Sequence, residues 1–244
     1  MKIAIIGYGR MGHAIEKTAM QRGHEIVACI DKDNQQDFDS DAFASADVAI
    51  EFTNATQALD NFRKVWSKGI PVVSGTTGWF AYGTLHSLGK EVERNGYTLL
   101  HASNFSIGVN LLFALNSYLA KIIAPFDEYK VSVNETHHIH KLDHPSGTAI
   151  ALADEIIEND HRYETWVEPL SNVVGVDSVP IRCEREGENP GYHRVKWESA
   201  TDCISISHQA YSRDGFALGA ILAAEWLVKQ PKGHIYSLKE MFKF

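Results

Sequence analysis

Lys2-Ile3-Ala4-Ile5-Ile6-Gly7-Tyr8-Gly9-Arg10-Met11-Gly12 is the stretch on which the architecture turns. Lys2–Ile6 reads as a strand, and a Gly-x-Gly-x-x-Gly follows at once and opens a helical run, Arg10–Gln21. The first glycine suits a tight turn, the second lets a pyrophosphate approach the backbone, and the third lets helix pack on strand. The pyrophosphate would rest on the helix N-terminus, where free N–H groups and the helix dipole favour negative charge. Asp31 follows Gly12 by 19 residues, at the end of a second strand, Glu25–Ile30, where a carboxylate accepts ribose hydroxyls. Asp31 favours NADH by repelling a 2′-phosphate. Lys32 beside it would meet that phosphate, so NADH and NADPH both stand.

Outward from this turn, short apolar runs alternate with amphipathic ones through the first hundred residues. Val48–Phe52, Pro71–Ser74 and Tyr97–His101 read as further strands, and Thr56–Ser67 and Tyr82–Glu93 as helices. Apolar strands alternating with helices predict a parallel sheet covered on both faces. Two strand ends carry residues that such an edge uses for ligands: Thr53 after Glu51-Phe52, and Gly75-Thr76-Thr77-Gly78. Asp33 to Ser45 reads as a polar loop.

Beyond Asn104 the pattern changes. Helices are expected at Val109–Ile123 and Thr148–Glu158, and strands at Tyr129–Asn134, Val179–Glu184, His193–Trp197 and Cys203–His208. A closing helix, Phe216–Lys229, precedes Pro231 and Gly233. Strands joined by Gly-, Pro- and Asn-rich loops predict an open sheet, mixed or largely antiparallel, in a second domain. The fold class is therefore α/β: a Rossmann-type parallel-sheet nucleotide domain plus an α+β substrate domain with an open mixed sheet.

The composition narrows the function. Over 244 residues, 44% hydrophobic and 22% charged is ordinary for a globular chain, which excludes disorder and coiled coil. A net charge of −8 has the wrong sign for a protein that coats nucleic acid or anionic lipid, so neither partner is expected. Cys29, Cys183 and Cys203 form no CxxC pair, which argues against a disulfide framework and a thiolate metal site. Four apolar residues before Gly7 are too few for a signal peptide, and polar residues break the Gly108–Phe126 stretch. The expected localisation is cytoplasmic.

His137-His138-Ile139-His140-Lys141-Leu142-Asp143-His144 holds four of the twelve histidines within eight residues. Three readings compete. A metal site would use imidazoles with Asp143 or Glu135, although no HExxH occurs. A structural reading satisfies each ring by hydrogen bonds. A catalytic reading makes one histidine a general acid, with Lys141 as a fixed positive charge. Pro145-Ser146-Gly147-Thr148 follows, and Ser146 or Thr148 can cap the next helix, whose open N–H groups form a second anion site. Imidazoles, an ammonium and a helix N-terminus within a dozen residues suit a small substrate with more than one carboxylate. Alternation from Val131 and Val133 puts His137 on their face and His138 on the other. Both reach one pocket only if the strand ends near Thr136.

GYGRMG, GTTG, Ala102–Asn110 (ASNFSIGVN), Glu135–Ala149 (ETHHIHKLDHPSGTA) and Ser212–Ala220 (SRDGFALGA) together resemble the dihydrodipicolinate (4-hydroxy-tetrahydrodipicolinate) reductase family of bacterial lysine and diaminopimelate synthesis. The resemblance runs in order along nearly the whole chain. It implies an NADH- or NADPH-dependent oxidoreductase acting on a small cyclic dicarboxylate. It implies that His137 protonates the substrate ring carbon after hydride arrives, and that Lys141 stabilises the developing charge and binds a carboxylate. His138, Gly147 and Thr148 would complete the substrate site. Gly7, Gly9, Arg10, Met11, Gly12, Asp31, Lys32 and Thr53 would serve the cofactor. Gly75, Thr76, Thr77, Ala102, Ser103, Asn104 and Phe105 would contact nicotinamide and ribose. The implied domains are 1–107, completed by 213–244, and 108–212, the latter also forming a homotetramer through its sheet.

Ile139 stands where many members of that family have an arginine, and Glu184–Trp197 (EREGENPGYHRVKW) is an unusual version of the family's Gly-x-His-x-Val segment. The short Asp33–Ser45 loop bears on the adenine side. Competing readings are another NAD(P)-dependent reductase of the same architecture, a non-catalytic dinucleotide-sensing protein, and a zinc hydrolase built on the histidine cluster.

Overall fold

The computed structural model describes residues 1–79, 84–169 and 175–243. The chain separates into two compact units, Met1–Ser106 with Arg213–Phe244, and Ile107–Ser212.

The first unit is built on β1 (Lys2–Ile6), β2 (Glu25–Ile30), β3 (Val48–Glu51), β4 (Val72–Ser74), β5 (Thr98–His101) and, late in the chain, β11 (His234–Tyr236). Their order is β11-β5-β4-β3-β1-β2 and every pairing is parallel. Successive strand residues go to opposite faces, and both faces are covered. Ile3 and Ile5 of β1 enter one core with Ile15 and Ala19 of α1 (Arg10–Gln21) and Ala220, Ile221 and Ala224 of α7 (Asp214–Leu227). Ala4 and Ile6 enter the other, with Phe62 and Val65 of α3 (Ala58–Trp66) and Leu88 and Val92 of α4 (Thr84–Asn95). Each of the Ile, Leu, Val and Phe side chains contributes about 1.5–3 kcal/mol through burial. The Tyr82 start expected for the third helix lies outside the described residues.

The loop expected over Asp33–Ser45 is instead ordered. A 3₁₀ turn, Gln35–Asp39, leads into a short helix, α2 (Asp41–Ala44), whose Ser40 N-cap accepts the Phe43 N–H at 3.1 Å. Phe38 and Phe43 are both buried and meet edge to face, with ring centroids 5.1 Å apart. Two aromatic anchors in a polar stretch leave no helical period to read, yet they close the sheet's second face.

The second unit contains α5 (Ile107–Ile123), β6 (Lys130–His137), α6 (Gly147–Asn159), β7 (Thr165–Val167), β8 (Ser178–Arg185), β9 (Tyr192–Glu198) and β10 (Cys203–Gln209). The sheet order is β10-β9-β6-β8-β7. β6 runs parallel to β8 and antiparallel to β9, so the sheet is mixed. Val131, Val133, Val179, Ile181, Val195 and Trp197 face a core completed by Leu112 and Ala120 of α5 and Leu152 and Ile156 of α6. A short helix after β11, α8 (Leu238–Phe242), closes the chain in a capping box between Ser237 and Glu240.

The α7 packing is close enough to test. A Cβ added at Gly219 would lie 1.7 Å from the Phe105 carbonyl oxygen. Gly219→Ala is expected to destabilise the protein by about 1–3 kcal/mol or more, as overpacking does. An unshifted thermal midpoint would show that α7 does not sit against that carbonyl.

Candidate active site

At the carboxyl edge of the first unit's sheet, the three motif glycines differ in what requires them. A Cβ on Gly7 would meet the Phe52 carbonyl oxygen at 2.1 Å, and its φ of +89° favours glycine besides. At Gly12 the added atom would meet the Gly7 carbonyl oxygen at 2.5 Å, which keeps helix on strand. Gly9 meets nothing within 4 Å. It caps α1 without a side-chain bond, so packing inside the protein does not explain it. Open space before a helix N-terminus is what a pyrophosphate needs.

That space belongs to a cavity of about 430 Å³. Gly9, Arg10 and Met11 line it from the first turn, Phe52, Thr53 and Asn54 from the end of β3, and Gly75, Thr76 and Thr77 from the end of β4. Asp31 stands at the end of β2, where one carboxylate oxygen accepts the Tyr8 N–H at 2.8 Å and the other the Lys32 N–H at 2.7 Å. The carboxylate is held in place with lone pairs still available to ribose hydroxyls. Lys32 is exposed. Ala102 donates its N–H to the Ser74 carbonyl at 3.2 Å, bringing the Ala102–Asn104 turn to the same sheet edge. Phe105 is buried against Phe52 and serves the core.

Sequence reasoning gave Glu51 no role, and the structure does. This carboxylate is fully buried and accepts the hydroxyls of Ser74 at 2.6 Å, Thr76 at 2.9 Å and Thr53. Thr76 in turn accepts the Thr53 N–H at 2.8 Å. One acid therefore stitches two cavity walls together. The available signal was an acid ending an apolar strand, Val48-Ala49-Ile50-Glu51.

The second unit carries the other constellation. Along β6, Val131 and Val133 enter the core, and Glu135 and His137 continue the same buried face. The strand runs to His137, three residues beyond the expected Asn134 end, and His138 is half-buried in the turn beyond. Glu135 is 1% exposed. It accepts the Ser146 N–H at 3.1 and 3.2 Å and Arg185 Nη2 at 3.1 Å. It also lies 3.4 Å from His137 Nδ1 and 3.6 Å from His193 Nε2. Burial opposes its charge, but the bonds from His193 and Ser146 and the nearby His137 hold the carboxyl well below the usual range. His137 moves the other way. Burial, then the neighbouring His193, Lys141 and Arg185, push it down to about 4 against the opposing pull of Glu135. The His137 and His193 rings meet edge to face at 4.9 Å.

Lys141 Nζ contacts both oxygens of Asp143, at 2.7 and 2.8 Å. Arg185 pins their loop through the Asp143 carbonyl at 2.6 Å and the Lys141 carbonyl at 3.4 Å. Ser146 caps α6 by accepting the Ala149 N–H at 3.2 Å, so Gly147 and Thr148 are the first residues of that helix. His137, Lys141 and the α6 N-terminus thus gather at one end of this sheet. The parts played by His193 and Arg185 escaped the sequence reading, since each lies some fifty residues from the histidine cluster.

Among the described residues, two groups bring possible metal-ligand atoms within 4.8 Å of one another: Glu135, His137 and His193, and His144, Glu168 and Cys183. In the first, the carboxylate already has a guanidinium, which a dication would have to displace. In the second, burial and then the Glu135 charge push the Cys183 thiol up, away from the thiolate a metal takes. Ser146 Oγ lies 3.2 Å from His193 Nε2, but Glu135 approaches that same nitrogen. An acyl-transfer triad needs the acid on the opposite nitrogen, so these three do not form one.

Two family models match the chain: one described as dihydrodipicolinate reductase, N-terminus, over residues 1–105, and one as dihydrodipicolinate reductase, C-terminus, over residues 108–242. A 4-hydroxy-tetrahydrodipicolinate reductase from Christiangramia forsetii is 42% identical over 242 residues, 99% of this chain and 97% of its own. One from Archaeoglobus fulgidus is 32% identical with both chains fully covered. Among solved structures, a dipicolinate-bound dihydrodipicolinate reductase from Paenisporosarcina sp. TG-14 matches with a TM-score of 0.77 at 23% identity, over 97% of each chain. An amine dehydrogenase from Mycobacterium smegmatis shares the fold at a TM-score of 0.59 and 11% identity.

Gly9→Ala separates cofactor from packing. With nothing within 4 Å and a φ of −87°, the fold accepts the methyl group, so the thermal midpoint should hold within a degree or two. Dinucleotide affinity, measured by nicotinamide fluorescence, should fall about tenfold or more as the methyl enters the pyrophosphate's path. Unchanged affinity would remove the phosphate from Gly9.

Proposed function

Because the chain belongs to the dihydrodipicolinate reductase family, an NAD(P)H-dependent oxidoreductase family, we propose that His137 is its general acid and Lys141 the fixed charge beside it. The reaction is the reduction of 4-hydroxy-tetrahydrodipicolinate to tetrahydrodipicolinate, with loss of the 4-hydroxyl group as water, in lysine and diaminopimelate synthesis. The observation that carries the residue assignment is the meeting of His137, Lys141 and the capped start of α6 at one sheet end.

The nicotinamide supplies a hydride when bound; Gly9, Thr53, Gly75, Thr76 and Thr77 line the cavity that would take the dinucleotide. Asp31, with Gly7 and Gly12 shaping the turn, would orient the adenosine ribose, and Lys32 would meet a 2′-phosphate. Loss of the 4-hydroxyl group as water gives the conjugated ring, and addition of hydride to one of its carbons leaves negative charge on the rest of that system. Lys141 would stabilise that charge and hold a carboxylate. His138, Gly147 and Thr148 would complete the dicarboxylate site, the last two through α6 backbone N–H groups. His137 then delivers a proton to the neighbouring ring carbon and becomes neutral. Burial makes the neutral ring the favoured product of that step, which drives the transfer forward. Two substrate carboxylates arriving nearby would raise the proton affinity of His137 and load the acid when it is needed.

The assembly we infer is a homotetramer through the second unit's sheet, in the cytoplasm. Its support is the exposure along edge strand β10, where Ile204 is 43% exposed. Light scattering at micromolar concentration should return four times the 27.2 kDa chain mass; a monomer would refute it.

The activity itself is tested by loss of nicotinamide absorbance, with NADH and NADPH in parallel and the substrate generated enzymatically in the cuvette. Oxidation should depend on the substrate generator. His137→Gln should lower turnover about 10²–10⁴-fold, as loss of a positioned acid does, with cofactor affinity little changed. Lys141→Ala should harm turnover and substrate KM together. Wild-type turnover in the His137 variant would sink the acid assignment.

A further inference from the structure

We propose that Glu135 is a positioning residue for the proton transfer: its carboxylate takes the Nδ1–H of His137, which sets the ring's tautomer and leaves Nε2 to face the substrate. The inference rests on the reading of His137 as the acid.

Four observations support it. Among the described residues, His137 Nδ1 is sealed from solvent and makes no hydrogen bond, while Glu135 Oε2 stands 3.4 Å away. That distance is long for a finished bond, and such contacts tighten when the ring takes up charge. Were the proton on Nε2 instead, the Nδ1 lone pair would point toward a buried carboxylate, which is repulsive. The carboxylate cannot retreat, because Ser146 N–H holds it from the start of α6 and Arg185 holds it from β8. Finally, Glu135 is the anion that favours an imidazolium at His137, whereas His193 from β9, Arg185 from β8 and Lys141 from the following loop all oppose one.

Ser146 makes the arrangement more than local. Its N–H holds Glu135 and its hydroxyl caps α6, so the residue that opens the anion-binding helix also holds the partner of the acid.

The first test uses the intact wild-type protein. Nitrogen-15 shifts of its histidine rings, with His137 assigned by comparison with His137→Gln, should show neutral His137 protonated at Nδ1. The second is Glu135→Gln, whose amide oxygen can still accept from Ser146 and Arg185. Its kcat should fall by part of the about 10²–10⁴-fold that a positioned acid supplies, with substrate KM and cofactor affinity within about threefold. Loss of the carboxylate lowers the ring's proton affinity, so the decline of kcat with rising pH should begin about 1–3 pH units lower. Glu135→Asp should restore part of the pH profile. A purely structural role would change the thermal midpoint and leave that profile in place. An Nε2–H tautomer in the wild type, or a Glu135→Gln enzyme with wild-type kcat and pH profile, overturns the proposal. Should Glu135→Gln not fold, the wild-type tautomer still decides. Full activity in His137→Gln would defeat the acid reading and with it the role in proton transfer, whereas an Nε2–H tautomer, measured without turnover, would defeat the Glu135 contact and leave the acid reading standing.

Discussion

An ionised carboxylate on the apolar face of a strand costs several kcal/mol in lost hydration unless the protein surrounds it with donors. Glu135 continues the buried face of Val131 and Val133, and much of the second unit's functional end is the answer to that requirement. The Ser146 N–H supplies one donor, which fixes where α6 begins. Arg185 supplies another, and the same guanidinium reaches the carbonyls of Glu184, Asp143 and Lys141. A group recruited to neutralise one charge thereby moors the loop that carries Lys141. The two imidazoles complete the shell. Removal of any one partner would leave a buried charge partly unpaired, so these contacts stand or fall together.

Glu51 shows the same device in the first unit with different chemistry. Its donors are hydroxyls from Thr53, Ser74 and Thr76, drawn from the ends of two adjacent strands. Hydroxyls rotate to suit, so three short side chains can converge on one carboxylate where a long cation would not fit. The consequence is a preorganised edge. Thr53 and Thr76 line the cavity because they are tied behind it, and a cofactor docking there need not order them.

The chain announced its architecture where physics repeats and concealed it where physics acts once. β1, α1 and β2 match their expected limits because period-2 and period-3.6 patterns flank a glycine motif with its own logic. The three-residue strands β7 and β11 are too short for any period, and both owe their existence to a neighbouring strand that offers an open edge. Phe38 and Phe43 are likewise single anchors, and the loop read over Asp33–Ser45 proved to be two short helical turns. In the functional end, the clustered His137, His138 and Lys141 stood out, as did the Ser146 cap. His193 and Arg185 did not, because β6 meets β8 and β9 through pairings separated by roughly fifty to seventy positions. Glu135 was readable in principle: an acid two residues before a histidine on an apolar strand face has to be paired.

The cationic groups at this site are few, and that bears on how a dianion would be held. Ile139 is 60% exposed and adds no charge. Arg185 is occupied by Glu135 and three carbonyls, so it anchors the loop and has little left for a ligand. Lys141 remains, paired to Asp143, whose side chain is 57% exposed. An ion pair so open to water is worth about 0–1 kcal/mol. A substrate carboxylate could therefore take Asp143's place on Lys141 at little loss, with α6 N–H groups receiving a second carboxylate. The protein's net charge of −8 repels such a ligand at a distance. Attraction must then come from these few groups at short range, where screening is weakest and geometry selects.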